Sequence, residues 1–237
     1  MTFPLSPVLH VINGTIALWA AFRFLKSYKE TGSVFYRIFI HTGFGVAFSY
    51  YLYSVPILFA PKDSHLHGIF YLLAFFPLIW ALSNALRFAF QIWNLKILEK
   101  IIVPIALLFT VVFFIAHLAA VPTPQIVSGI VTWRVDSPFD FIYSFALLLL
   151  LLPLVVLFFT TKVQGSKARL NKRLFGLALL LGGFGGIGTT LDETKIPLLV
   201  FFYLVEFFGF LSLALLFILD RYIPDDEVTK ASPQEGW

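Results

Sequence analysis

Long apolar runs separated by short polar stretches set the pattern of this chain. Crossing a hydrocarbon core takes about 20 mainly apolar residues, and seven runs qualify: 5–25, 37–60, 68–92, 101–121, 139–161, 173–190 and 196–219. Lipid offers a backbone amide no partner, so each run must close its own hydrogen bonds as a helix. The predicted fold is an all-α integral membrane protein, a seven-transmembrane-helix bundle over residues 1–219 with a short polar tail over 220–237. The tail mixes acids with Pro224, Pro233 and Gly236 and is too short and polar to bury a core, so it is expected to be disordered.

Composition makes lipid the solvent. Charged residues are 13% of the chain, against about 25% in soluble domains, too few to cover a wetted surface. The absence of cysteine excludes disulfides, thiolate metal sites and cysteine nucleophiles. The net charge of +4 needs no nucleic-acid partner, because its sign follows from topology. With the N-terminus outside and the C-terminus cytoplasmic, 14 of the 17 Lys and Arg fall inside and only Lys62, Arg134 and Lys195 outside, as the positive-inside rule requires. The first run lacks both a preceding positive residue and a small-residue cleavage site, so it is expected to stay as a helix rather than be removed as a signal.

The longest connection, Val121 to Pro138, carries a strand pattern in which Val131, Trp133 and Val135 alternate with Thr132, Arg134 and Asp136. Ser128-Gly129 can turn the chain before it, which predicts a small external hairpin, either resting on the bundle or covering a cavity in it.

Candidate chemistry begins with Glu206, near mid-depth in the seventh run within Phe-Tyr-Leu-Val-Glu-Phe-Phe-Gly. A charged side chain there costs at least about 2.5 kcal/mol and therefore faces the bundle interior or a cavity. Thr15, Tyr50, Tyr51, Trp80 and Gly182 fall at a similar depth, and their hydroxyl or indole donors suit a carboxyl group. Glu206 is expected either to make one structural interhelical bond or to bind a ligand or proton, with Tyr50, Trp80, Asn84 and Thr15 as its partners. Trp80, Ser83, Asn84 and Arg87 share one face of the third run. Arg87 lies near the cytoplasmic end with His41, so His41, Asn84 and Arg87 form a candidate inner polar layer.

His10, His65, His67 and His117 all fall near the outer surface, and neutral imidazoles suit Zn or Cu. None of these pairs has the i, i+4 spacing of a helical metal site. His41 and His117 lie at opposite depths, which argues against a membrane haem. In the sixth run Gly182 and Gly186 stand in a GxxxG relation, expected to pack closely against another helix. Pro56, Pro77, Pro104 and Pro153 are placed to kink their helices and free carbonyls.

Seven helices of this length also describe microbial rhodopsins. Retinal would need a lysine midway along the last helix, where Glu206 stands instead, and the third run has no carboxylate counter-ion. The rhodopsin reading and retinal are therefore rejected, and no cofactor is expected. No nucleophile, base and orienting group can be placed together, so an enzyme is the least supported class.

Short loops, a polar third helix ending in Arg87 and a glycine-rich sixth helix resemble the seven-helix membrane sensor region of bacterial histidine kinases. The resemblance covers the hydrophobic part of the chain and lies in layout. Such regions precede a cytoplasmic output domain, whereas here a short tail follows the last span. The resemblance thus implies a detached sensor that passes its state to another membrane protein. A small transporter or channel subunit using Glu206 at the midplane, and a structural accessory subunit, are the alternatives.

Overall fold

The structure, a computed structural model, describes residues 5–59, 64–127, 129–134, 139–163, 165–191 and 196–219. The expected tail 220–237, with Arg221 and Lys230, lies outside the described residues, as do Lys62, Lys195, Val135 and Asp136. Among the described residues there are seven helices and one hairpin: α1 (Leu5–Thr31), α2 (Val34–Phe59), α3 (Ser64–Ile92), α4 (Lys96–His117), β1 (Thr123–Val127), β2 (Ile130–Arg134), α5 (Phe139–Thr160), α6 (Ser166–Leu191) and α7 (Ile196–Leu219). The proteins' apolar runs therefore all become helix, as the lack of external hydrogen-bond partners in lipid demands.

Six of these helices are long and apolar enough to cross a membrane, which makes the chain a multi-pass membrane protein by architecture. The exception is α6. Lys167, Arg169, Lys172 and Arg173 occupy its first turns, and Gly182, Gly183, Gly185, Gly186 and Gly188 dilute the apolar character of the rest. It nevertheless sits within the bundle, packed between α5 and α7.

The helices form a ring rather than a row. Neighbours run α1, α2, α3, α5, α6, α7, and α7 closes back onto α1. Helix α4 stands outside this ring against α3. Its buried positions Ala106, Thr110, Phe113 and His117 recur at steps of four, three and four, the spacing of one helical face. The other side exposes Ile97, Ile105, Leu108, Val112 and Ile115. A continuous apolar stripe of that kind would be an aggregation liability in water and is ordinary surface in lipid.

Turns are closed by local chemistry. The α1–α2 connection reverses at Gly32, whose φ of 67° is left-handed and whose N–H donates to the Tyr28 carbonyl at 2.8 Å, a glycine helix stop. Asn94 plays the same part after α3 at φ 57°, a position asparagine tolerates better than most residues. β1 and β2 pair antiparallel with Val127 opposite Ile130, and Gly129 before β2 has a left-handed φ of 80°. The expected hairpin thus forms where Ser128-Gly129 placed it.

Three features fix this hairpin across one end of the ring. On the α1 side, the Val131 N–H donates to Ser6 Oγ at 2.8 Å and the Leu5 N–H donates to the Gly129 carbonyl at 2.6 Å. From α7, the Tyr203 hydroxyl donates to the Val131 carbonyl at 3.3 Å, and Ile130 is buried against Leu199 and Tyr203. At α3, Trp133 lies against Tyr71 with ring centroids 4.3 Å apart, and a Cβ on Gly68 would collide with the Pro122 carbonyl.

The glycine seam between α6 and α7 is tight and uses more glycines than the GxxxG pair. A Cβ at Gly185 would lie 2.6 Å from the Glu206 Cβ, and one at Gly209 would lie 2.7 Å from the Gly182 Cα. Gly188 meets the Phe202 ring. At Gly182 itself a Cβ would find its nearest neighbour at 3.9 Å, and at Gly186 at 3.2 Å from the Glu206 Oε1. Both glycines thus face α7 as expected, Gly182 through its backbone against Gly209 and Gly186 opposite the Glu206 carboxyl group, and both also line the central cavity; Gly185 and Gly188 extend the seam.

Candidate functional site

Aromatic residues sort along the bundle by chemistry. At the end away from the hairpin, Phe24, Phe39, Phe158, Phe175 and Phe217 form one buried cluster with Phe35 and Phe88 packed against it. Edge-on contacts such as Phe39 on Phe175 at 4.8 Å between centroids and Phe24 on Phe217 at 5.1 Å are the arrangement aromatic quadrupoles favour. Toward the hairpin the same helices carry hydroxyls: Tyr50 and Tyr53 on α2, Tyr71 on α3, Tyr143 on α5 and Tyr203 on α7.

Between these layers runs a cavity of about 210 Å³. Trp133 of the hairpin borders one end, and Phe24, Phe39 and Phe175 border the other. Glu206, His10, Tyr50, Tyr53, Tyr143 and Tyr203 line its polar part. Among the described residues no lysine or arginine lines it.

Glu206 is buried and is placed by the seam beneath it, since the absence of a side chain at Gly185 lets the Glu206 backbone press onto α6. Its Oε1 accepts a short hydrogen bond from the Tyr50 hydroxyl. Its Oε2 has no hydrogen-bond partner among the described residues. The closest cation-capable group is His10 Nε2 at 3.8 Å, beyond hydrogen-bond length. The His10 ring is itself surrounded, with Tyr50, Tyr203 and Tyr53 centroids at 5.2, 5.3 and 6.0 Å. A buried carboxyl oxygen left open in a cavity edged by aromatic rings can accept a hydrogen bond from a guest molecule.

Of the expected partners of Glu206, the fold brings in Tyr50 and leaves the others elsewhere. Thr15 is exposed and bonds the Val11 carbonyl at 2.8 Å and the Tyr51 hydroxyl at 3.1 Å; neither Thr15 nor Tyr51 lines the cavity. Depth along a helix does not fix rotation about it: Thr15 lies five residues past His10, about 140° around the helix at 3.6 residues per turn. The Trp80 ring stands edge-on to His41, centroids 5.3 Å apart. Its carbonyl accepts from Asn84 Nδ2 at 2.7 Å and Ser83 Oγ at 3.1 Å, so the polar stripe of α3 is satisfied within its own helix.

The inner layer of His41, Asn84 and Arg87 is likewise not assembled. Arg87 Nε lies 3.7 Å from Glu99 Oε1 on α4, and Gln91 Nε2 donates to the same oxygen at 2.7 Å, tying the α3–α4 corner instead.

The four histidines named as metal candidates occupy separate settings. His67 is buried with Nε2 3.1 Å from the Pro56 carbonyl in the last turn of α2, an acceptor that helix geometry leaves without an intrahelical donor. His117 is buried, with Nδ1 2.8 Å from the Phe113 carbonyl and its ring against Phe113 at 4.2 Å. His65 is exposed, and His10 belongs to the cavity. Among the described residues no three His, Asp or Glu side chains converge on a metal position.

Sequence reasoning missed the phenolic ring of the site. Tyr50 and Tyr53, and Tyr203 and Glu206, are each three residues apart, a spacing that puts both members on one face. His10 and Asn13 share that spacing on α1, and Asn13 is fully buried with neither amide atom hydrogen-bonded among the described residues. These pairs were the available signal. No family model matches the chain, and neither does any curated protein or solved structure.

Proposed function

We propose that this protein is a membrane sensor or receptor-like module of seven spans, N-terminus outside and C-terminus cytoplasmic, that binds a small molecule in its central cavity and passes its state to another membrane protein. One observation carries the reading: the cavity is polar beneath the hairpin and ends at a packed phenylalanine layer. A receptor needs an approach from one side only, and this gradient supplies one. The hairpin, held by a few hydrogen bonds to α1 and α7, serves as the lid. Coupling to a partner is what the resemblance to histidine-kinase sensor regions implies. For the orientation, the support is the distribution of Lys and Arg, with Arg23, Lys26, Lys29, Arg37 and Lys167 to Arg173 gathered at the end opposite the hairpin.

The runner-up is a small transporter or channel subunit, favoured by the buried Glu206–Tyr50 pair. Two experiments separate them. With single cysteines in this naturally cysteine-free chain, an impermeant reagent applied to intact cells should label Thr123→Cys and spare Ser33→Cys and Ser166→Cys; the opposite pattern refutes the orientation. In proteoliposomes carrying an imposed pH gradient, the sensor gives no proton flux above that of protein-free liposomes. A flux that Glu206→Gln abolishes would favour the transporter.

A further inference from the structure

The lining of the cavity restricts what it can hold, and this inference rests on the ligand-binding reading above. The polar part presents a carboxyl group whose Oε2 has no hydrogen-bond partner among the described residues, together with aromatic rings of Tyr50, Tyr53 and Tyr203, and among the described residues no lysine or arginine. An anionic guest would stand beside the Glu206 carboxyl group with His10 as the one cation-capable side chain lining the cavity among the described residues, and burying an under-compensated charge is costly. A cationic or hydrogen-donating head, by contrast, finds an acceptor at Oε2 and the faces of electron-rich rings, which attract ammonium groups within about 6 Å of their centroids. His10 Nε2, 3.8 Å from Oε2, stands beyond hydrogen-bond length and so leaves that acceptor without a hydrogen bond.

Beyond Glu206 the lining turns apolar and small. Ala17, Ala20, Gly182, Gly183 and Leu213 face the space before Phe24 closes it. Gly182 and Gly186 also line it, and a side chain at either would take up part of the space, at Gly186 against the Glu206 carboxyl group. Capacity follows from volume. A protein cavity of about 150 Å³ takes up benzene, so one of about 210 Å³ suits a body of ~8 non-hydrogen atoms by the same scaling.

We infer that the cavity recognises a small primary amine with a short hydrocarbon or aryl body, its ammonium at Glu206 Oε2 among Tyr50, Tyr53 and Tyr203 and its apolar body toward Phe24.

Octylamine, octanol and octanoate test this, since they share one body and differ in the head. Each is titrated into the detergent-purified full chain while the thermal unfolding midpoint is followed, with Glu206→Gln in parallel. Saturable stabilisation is expected from octylamine with an apparent Kd at least about tenfold below that of octanol, and none from octanoate. In Glu206→Gln, octylamine should fall to the level of octanol while octanol is unchanged. Octanol equalling octylamine in the unaltered chain, or octanoate binding best, would overturn the amine assignment and leave the cavity a receptor for another class. Saturable binding of none of the three would count against the cavity as a ligand site altogether. Should Glu206→Gln fail to purify as a single species, Glu206→Asp serves: it withdraws the carboxyl group by one methylene, so the octylamine Kd should rise toward that of octanol while octanol is unchanged, and an undiminished amine preference there would overturn the placement of the ammonium at Glu206.

Discussion

The two halves of this bundle are built from the same helices and behave as different materials. In α2 the half away from the hairpin contributes Phe35 and Phe39 and the hairpin half Tyr50 and Tyr53; in α7 the corresponding residues are Phe217 and then Glu206 and Tyr203. One half fills its centre with interlocked phenyl rings. The other packs its rings to one side, with Tyr71 against Trp133 and Phe75 against Tyr143, leaves a space beside Glu206, and brings α6 and α7 together at glycines. A bundle in lipid gains little from hydrophobicity between helices, so packing must hold it together. The lesson is a division of labour: the phenylalanine half supplies rigidity that lets the hairpin half keep a hole.

That comparison breaks most severely if Phe39, buried and touching Phe35, Phe88, Phe158 and Phe175, is truncated. Phe39→Ala should cost about 3–5 kcal/mol, read as a lower unfolding midpoint in detergent. A cost below 1 kcal/mol would mean that the phenylalanine half is not the rigid one. Gly209→Leu comes next. It drives a side chain into the Gly182 backbone, so overpacking of about 1–3 kcal/mol is expected. Gly182→Ala, which meets only Phe210 at 3.9 Å, should by contrast be close to neutral for stability while reducing the cavity.

How far these differences could be read beforehand depends on what the pattern encodes. Helix number, the hairpin and the buried, mid-helix place of Glu206 were legible, because lipid imposes length and self-bonded backbone on every span and Ser128-Gly129 is a two-residue turn signal. Rotation was not legible. Tyr50 and Tyr51 have the same depth, yet one bonds Glu206 and the other Thr15, since consecutive residues point about 100° apart. Hydropathy gives no azimuth in a helix that is apolar on all sides. Ring order was hidden for the same reason, and α4 stands outside the ring although its neighbours in sequence do not. The GxxxG spacing identified two glycines that face α7, Gly182 and Gly186, but not the closer contacts at Gly185 and Gly188.

A smaller effect sharpens the account of the lid. Ser6→Ala removes the acceptor of the Val131 N–H, a loss of about 1 kcal/mol. Amide hydrogen exchange should rise over Ile130–Arg134 while the centre of α3 stays protected. Equal loosening in both would show that the hairpin is part of the bundle core rather than a cover on it.

Access to the cavity tests the central claim most directly. Thr189 lines it near the hairpin end and Ala20 beside the phenylalanine layer, and no native cysteine interferes. In oriented membranes, an impermeant thiol reagent added on the hairpin side should modify Thr189→Cys, and the same reagent added on the opposite side should modify neither Thr189→Cys nor Ala20→Cys. Modification of Ala20→Cys from the opposite side would show a path through the phenylalanine layer and contradict a one-sided cavity.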